Sequence, residues 1–279
     1  MTCLVFLLLV GNGDPVGAVE KTNIVGYSAG LDTLVVLWQD IRDLHEYLRD
    51  LQPIALVVGD SMVIFEPDAA GTAYQYRSTE STPFPMSSGI RAAFPLQAMG
   101  GRSACVVGEG VFASEEELIL VLHEFVHCSQ ANTVEFEIKA TLPIATRAAE
   151  AGDFMWEIQH PFPYTDSLFV EHYSAMIASF RAGHAEQALV ERAMLRDHLS
   201  AIDLQYLVWE EWKEGLARYL ENLIRAERGV PVNRYGGEPP YDRIVFYVGG
   251  SEYIAYLLGE NPGLGADPKA LFNAIYSGD

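Results

Sequence analysis

The chain has 279 residues, of which 49% are hydrophobic and 20% are charged, so it can bury a sizeable core. Its formal net charge of −20 argues against nucleic acid as a partner, because phosphate recognition needs a basic surface, and against an anionic membrane surface. The three cysteines, Cys3, Cys105 and Cys128, are too few for a disulfide framework.

The first residues carry part of the signature of a signal peptide. Residues 3–10 form an uncharged apolar run, and Val16 and Ala18 fit a cleavage site, although no basic residue precedes the run. A buried strand or a misassigned start is the alternative. We expect residues 1–18 to be a signal peptide and the protein to be periplasmic or secreted; otherwise it is cytoplasmic. The run is too short to span a bilayer, so we expect no stable membrane insertion of the mature chain.

The N-terminal half contains one helical pattern and a few strand patterns. Apolar residues at helical spacing predict a helix over residues 29–53. β-Branched residues on both sides of a Gly-Asp pair predict a hairpin over residues 54–67. Residues 68–102 are rich in Pro, Gly, Ser and Thr and predict a long irregular loop, and residues 103–107 predict a short strand.

The C-terminal half is mainly helical. Ser114 with Glu117 is typical of a capping box, and the helix that it opens, over residues 115–130, is apolar nearly all round and therefore buried. Further helices are predicted over residues 167–181, 185–198, 203–226 and 241–259. We therefore predict one α+β domain over residues 19–279, with a small N-terminal mixed sheet, an active-site helix and a mainly helical C-terminal half.

The buried helix carries the pattern His-Glu-x-x-His at His123, Glu124 and His127. Residues four apart lie one turn above each other on a helix, so the two imidazoles can bind one tetrahedral Zn²⁺ ion. The glutamate beside them is placed to handle the proton of a water molecule. The alternative is a pair of buried histidines that neighbouring groups satisfy.

A catalytic zinc site needs a third protein ligand and one open position. The metzincin continuation is missing, because Gln130 and Thr133 stand where that pattern has Gly and His. Glu214 is the better candidate, since Gly215 and Ala217 follow it within a strong helical pattern. Small residues at these positions indicate that another helix approaches closely.

His-Glu-x-x-His with a downstream Glu-Gly-x-Ala-x-Tyr helix resembles the gluzincin branch of the zinc metallopeptidases. The resemblance covers about two helices and implies a zincin-like fold that binds one zinc ion per chain. It implies that His123, His127 and Glu214 are the zinc ligands and that Glu124 is the general base of peptide-bond hydrolysis. It also implies an edge strand that pairs with an extended peptide or protein substrate, for which residues 103–107 are the candidate.

Two features depart from the gluzincin pattern. The gap from His127 to Glu214 is 87 residues, which is longer than in the best-known members. Four residues after Glu214 stands Arg218, where some members have an acidic residue that orients a ligand histidine. Glu211, on the same helix face, is the candidate for that orienting role.

Other residues offer alternatives for the third ligand and for the oxyanion donor. Cys105 is a rival ligand, because peptide deformylases pair such a cysteine with this motif, and Glu171 is a weaker one. Cys128 is expected to be a core residue. The candidates for an oxyanion donor are Tyr247 as first choice, Tyr219, His160, His172 and His198. Residues 155–164 form an aromatic loop that either packs or lines a substrate cleft.

The leading functional hypothesis is a zinc metallopeptidase, which is a hydrolase. The alternatives are a catalytically silent zincin fold that binds or senses, and a metal-dependent hydrolase of a non-peptide amide. Endopeptidase and aminopeptidase activities stay open, with Glu109, Glu210 and Glu221 as candidates to capture a free amine. The sequence indicates neither the substrate nor the oligomeric state.

Overall fold

The computed structural model describes residues 21–278, so the predicted signal segment lies outside the described residues. Five strands form one mixed sheet in the order β3-β2-β1-β5-β4, in which β1 and β5 are parallel and the other neighbours are antiparallel. The strands are β1 (Ile54–Val58), β2 (Ser61–Pro67), β3 (Tyr74–Ser81), β4 (Arg91–Pro95) and β5 (Ser103–Gly108). The predicted hairpin over residues 54–67 is confirmed as β1 and β2.

Ten α-helices are described, and nine of them follow the sheet, which confirms the α+β class with a mainly helical C-terminal half. They are α1 (Lys21–Ile41), α2 (Glu115–Thr133), α3 (Glu135–Lys139), α4 (Pro143–Ala151), α5 (Trp156–Gln159), α6 (Ser167–Arg181), α7 (Ala185–His198), α8 (Ala201–Glu227), α9 (Val245–Glu260) and α10 (Pro268–Ser277). Within residues 21–278, no helix is both long and apolar enough to cross a membrane.

Two predictions about the sheet are wrong. The predicted loop over residues 68–102 contains β3 and β4, two edge strands whose side chains are half-buried or exposed and therefore lack an apolar period. The predicted edge strand over residues 103–107 lies inside the sheet, between β1 and β4, and every residue of β5 is buried. The edge strand nearest the candidate active-site helix is therefore β4.

The predicted helix over residues 29–53 is also wrong in its limits. Helix α1 ends at Ile41, and a separate 3₁₀ turn, Glu46–Leu48, follows it. His45 opens that turn, because its Nδ1 atom accepts a hydrogen bond from the Tyr47 backbone N–H at 3.1 Å. A side-chain acceptor at this point competes with the continuation of the helix, which the apolar period alone does not reveal.

The two faces of the sheet bury different neighbours. One face carries the side chains of Leu56, Val63 and Cys105, which belong to the large core shared with α1, α2 and the C-terminal helices. The other face carries Val57, Ile64 and Val106, which a segment that includes Leu96 and Met99 covers. Helix α2 therefore lies against one face of the sheet, beside β4 and β5, and faces α8 on its other side.

Helices α8 and α9 approach each other closely at two glycines. An added Cβ atom at Gly215 would lie 2.6 Å from the Gly250 Cα atom, which no real Cβ tolerates. The small residues after Glu214 therefore do serve a close helix contact, as the sequence predicts. The partner is α9, however, and not the helix that carries the two histidines.

Gly215→Ala is expected to lower the free energy of unfolding by about 1–3 kcal/mol, because the added methyl group forces two backbones apart. This loss should exceed the gain of about 1 kcal/mol that alanine brings to a helix interior. Gly259→Ala, on α9 with no atom within 4 Å of the new methyl, is the matched control and should not destabilise. Urea unfolding of both variants measures the difference, and a Gly215→Ala protein as stable as the parent would contradict the close-contact role.

Candidate metal centre

Helix α2 presents three polar side chains on a buried surface. The Ser114 side chain accepts a hydrogen bond from the Glu117 backbone N–H at 3.2 Å and so starts the helix as predicted. His123, Glu124 and His127 follow two turns later, and all three are buried. A run of apolar neighbours fixes the helix against the sheet and therefore holds these polar groups in place.

Three donor atoms converge next to α2. The Nε2 atoms of His123 and His127 are 3.2 Å apart, and Glu214 Oε2 lies 3.0 Å from the second and 3.7 Å from the first. Glu214 is buried on α8, as are the two histidines on α2. This group can hold a metal ion, and it is the one cluster of this kind found within the described part of the chain.

The orientation of Glu214 supports metal binding. Its Oε1 atom accepts a hydrogen bond from Arg243 Nη1 at 2.9 Å, whereas its Oε2 atom is buried, has no hydrogen-bond partner and points at the histidine nitrogens. Burial raises the pKa of the Glu214 carboxyl, but the charges and contacts of the histidines outweigh burial and hold it well below the usual range. An ionised carboxylate with one free oxygen is the form that ligates a cation.

Glu221 holds the far side of His123. Its Oε2 atom lies 3.1 Å from His123 Nδ1, which directs the Nε2 atom of that ring toward the cluster. Burial raises the pKa of Glu221, but the hydrogen bond and charge of His123, with Arg218, lower it to about 2. Burial lowers the pKa of His123, but the neighbouring carboxylates of Glu214 and Glu221 overcome this effect and raise it to about 9.

The assignment of this orienting role to Glu211 is wrong. Glu211 is fully buried, but it binds Arg192 on α7 through both carboxylate oxygens, at 3.0 and 2.7 Å. Arg218 lies 3.0 Å from the Glu221 carboxylate. Glu221 follows Glu214 by seven residues, two helical turns, so helix periodicity could have identified it as a second candidate.

Gln130 performs the corresponding task for His127. Its Oε1 atom lies 2.9 Å from His127 Nδ1, and its Nε2 atom donates to the backbone carbonyls of Trp212 and Lys213 on α8. One side chain therefore orients the second histidine and ties α2 to the segment that carries Glu214. In the sequence, Gln130 is evident only as a departure from the metzincin pattern, which does not indicate this role.

Glu124 lies beside the cluster without being part of it. Burial raises the pKa of its carboxyl, and the charges of His127 and then His123 lower it in part. The side chain is 8% exposed, so little water reaches it from bulk solvent. A buried carboxyl with a raised pKa is better suited to accept a proton than an exposed one.

Tyr247, the first candidate for an oxyanion donor, lies against the site. Its ring stacks on His123, with centroids 5.9 Å apart and an interplanar angle of 12°, and its hydroxyl accepts a hydrogen bond from Arg243 Nη2 at 2.8 Å. The other candidates for an oxyanion donor do not face the cluster. Tyr219 lines a separate cavity, and the remaining three pair with carboxylates outside the site: His160, His172 and His198.

The rival metal ligands do not reach the cluster. Cys105 Sγ lies 3.5 Å from Cys128 Sγ within the core, and both thiols are fully buried. Cys128 is thus confirmed as a core residue, and Glu171 is exposed on α6. Among the predicted amine-capturing residues, Glu210 lies near the site, because its Oε2 atom accepts a hydrogen bond at 2.9 Å from Arg243 Nη1, which also binds Glu214. Glu109 is exposed and accepts a hydrogen bond from the Tyr27 hydroxyl.

The aromatic segment of residues 155–164 packs against the helical core. Phe162 is buried against Phe169 and Phe246, with ring centroids 4.9 and 5.1 Å away. Trp209 and Trp212 on α8 are fully buried. Met155 and Ile158 at the start of this segment are exposed.

Glu221→Gln is expected to weaken metal binding by about 10–100-fold, because the neutral amide gives less support to the basicity of His123. Glu227→Gln, an exposed change on the same helix, is the control and should bind metal as the parent does. Competition with a chromogenic chelator measures both affinities. Equal affinity in the parent and the Glu221→Gln protein would remove this role from Glu221.

Comparison of the chain with protein-family models, with curated proteins and with solved structures finds no match.

Proposed function

We propose that the protein is a zinc-dependent peptidase of the gluzincin type, in which His123, His127 and Glu214 hold the metal and Glu124 is the general base. The observation that carries the proposal is the convergence of two imidazole nitrogens and an unpartnered buried carboxylate oxygen on one point. Two histidines and one glutamate are a common donor set of catalytic zinc sites, which leave the fourth position open.

The spacing of the donor atoms supports zinc. A tetrahedral zinc ion with bonds of about 2.0–2.1 Å needs donor atoms about 3.3 Å apart. The three separations in the cluster, 3.0, 3.2 and 3.7 Å, bracket this value. Calcium and magnesium are poorer candidates, because these hard cations prefer oxygen donors.

The residues around the cluster divide the chemistry among them. A bound zinc ion supplies a Lewis acid that lowers the pKa of water and polarises a carbonyl group. Glu124 accepts the proton of the attacking water and passes it to the leaving amine. Burial holds the pKa of Tyr247 well above its ordinary value, so the phenol keeps its proton. Because its oxygen accepts from Arg243, this proton is available to a developing oxyanion.

The free edge of strand β4 is an observation that favours an extended peptide as the substrate. Within the β4–β5 ladder, Gly108 N–H donates to Ile90 C=O and Leu96 N–H donates to Arg102 C=O. The alternation of an antiparallel ladder therefore directs the backbone groups of Ala93 away from β5, toward the free edge. An extended peptide can pair there beside His127, because Ala93, Pro95 and His127 line one groove.

Hydrolysis of a pooled fluorogenic peptide library tests the proposal. The zinc-loaded protein should cleave library members, 1,10-phenanthroline should stop cleavage, and added Zn²⁺ should restore it. Cleavage that persists after complete metal removal would contradict the proposal. Stoichiometric zinc binding without cleavage of any peptide would favour the catalytically silent binding module instead.

A further inference from the structure

One guanidinium group joins helices α8 and α9 beside the metal cluster. Arg243 lies two residues before α9 begins at Val245. Its Nη1 atom donates to Glu210 Oε2 and to Glu214 Oε1, both at 2.9 Å, and its Nη2 atom donates to the Tyr247 hydroxyl at 2.8 Å. Arg243 therefore contacts a proposed metal ligand and the proposed oxyanion donor at the same time.

The two glutamates fix the guanidinium on α8. Glu210 and Glu214 are four residues apart on this helix, and both are buried. Two carboxylates at this spacing repel each other, and a cation that contacts both of them offsets the repulsion. Because Glu210 does not belong to the metal cluster, its contact with Nη1 serves to hold Arg243 in place.

The fixed guanidinium in turn determines the direction of the Tyr247 hydroxyl group. The Tyr247 ring is already held by His123, on which it stacks. The guanidinium is a rigid planar fork, so Nη1 at the carboxylates leaves Nη2 directed at the phenolic oxygen. A guanidinium group has donors only. The phenolic hydrogen of Tyr247 must therefore point away from Arg243, where a substrate oxygen can accept it.

A direct role of Arg243 in binding a substrate carboxylate is a poorer explanation. Glu210 and Glu214 both contact Nη1 and offset its positive charge. A substrate carboxylate beside Arg243 would also meet these two like charges, which disfavours its binding.

We propose that Arg243 is a positioning residue, which aims the Tyr247 hydroxyl group at the developing oxyanion of the substrate while Glu210 and Glu214 hold the guanidinium in place. This inference rests on the proposed peptidase function and deepens it. Arg243 acts through Tyr247, so its loss slows the chemical step and leaves the binding of the uncleaved substrate nearly unchanged.

A double-mutant cycle with Tyr247→Phe tests the positioning role. Arg243→Lys keeps a positive charge near the two carboxylates but has no fork. At saturating zinc it should lower kcat by about 10–100-fold and leave KM within about threefold of the parent. In the Tyr247→Phe background the same change should alter kcat by less than about threefold, because no hydroxyl is left to position. An unchanged kcat, an equal loss of kcat in the Tyr247→Phe background, or a raised KM with unchanged kcat would overturn the proposal.

Inhibitor binding provides a readout that does not depend on turnover. A phosphinic analogue of a cleaved library peptide has a tetrahedral centre in place of the scissile amide. Calorimetry should show that Arg243→Lys binds this analogue at least about tenfold more weakly than the parent, because the hydroxyl donor is misdirected. In the Glu124→Gln background, Arg243→Lys should bind the uncleaved peptide within about threefold of the Arg243 protein. Equal affinity of the parent and Arg243→Lys for the analogue would overturn the proposal.

A second variant covers the case in which Arg243→Lys does not fold. Arg243→Ala leaves room for a free guanidinium ion, and guanidinium chloride far below denaturing concentrations should raise its kcat by at least about tenfold. Urea, which has the same shape without the charge, should not. Failure of guanidinium to raise kcat in a folded Arg243→Ala protein would overturn the proposal.

Arg234→Ala is the matched control. Arg234 is exposed in the segment before α9, so its change should leave kcat within about twofold of the parent. Zinc-dependent cleavage that is insensitive to Arg243 would overturn the positioning role alone. A parent without zinc-dependent cleavage would overturn the peptidase function and this inference with it.

Discussion

Glu124→Gln should lower kcat for peptide hydrolysis by about 10²–10⁴-fold while the protein keeps its fold and its metal. Glutamine has nearly the same shape as glutamate but cannot accept a proton at neutral pH. The three proposed metal ligands are His123, His127 and Glu214, so the change leaves the donor set intact. The measurements are kcat on a cleavable library peptide, zinc content and circular dichroism.

Glu116→Gln is the matched control for this variant. Glu116 lies on the same helix but is exposed, so its change should leave kcat within about twofold of the parent. An active Glu124→Gln protein would remove the general-base role. A Glu124→Gln protein that loses its zinc would instead show that Glu124 supports the metal directly.

Arg192→Met should destabilise the fold by about 3–5 kcal/mol, because it leaves the Glu211 carboxylate buried without its cation. The Arg192 guanidinium donates to both oxygens of Glu211, and the Tyr173 hydroxyl donates to Glu211 Oε1 at 2.9 Å. Arg192 is 2% exposed and Glu211 is fully buried, so water cannot replace the lost partner. Urea unfolding, followed by circular dichroism, measures the loss.

A double variant separates the isolated charge from the lost packing. Arg192→Met combined with Glu211→Leu removes both charges and should recover much of the stability, because the desolvation cost of the pair disappears with it. Arg196→Met, on the same helix but only partly buried, should cost less than about 1 kcal/mol. If Arg192→Met costs no more than Arg196→Met, the buried pair does not hold α7 against α8.

Most of the long helices and the cluster of His123, His127 and Glu214 could be predicted because their signals are local. The Ser114 cap, the apolar run and the four-residue spacing of His123 and His127 all lie on one helix, so each supports the others. Glu214 lies 87 residues after His127, yet the glycine that follows it interrupts a helical pattern and marks a close contact. Here a glycine within a helical pattern indicated a close contact between two helices, which are α8 and α9.

The sheet order and the partner of His123 could not be predicted, because competition between distant residues decides them. β5 is an interior strand because β4, which has no apolar alternation, pairs along its outer edge. Glu211 and Glu221 are both acidic, buried and on the same helix, but Arg192 from α7 binds the first and leaves the second to His123. The periodicity of the α8 sequence does not indicate that Arg192 of α7 contacts this helix.

Metal analysis of the purified protein tests the central claim most directly. Elemental analysis after growth with added zinc should find one zinc ion per chain in the parent and in Cys105→Ala, and almost none in Glu214→Ala. Cys105 is the matched control because it is buried near α2, where its thiol faces Cys128 and not the histidines. A parent without zinc, or a Glu214→Ala protein that retains a full equivalent, would contradict the His123, His127 and Glu214 ligand set.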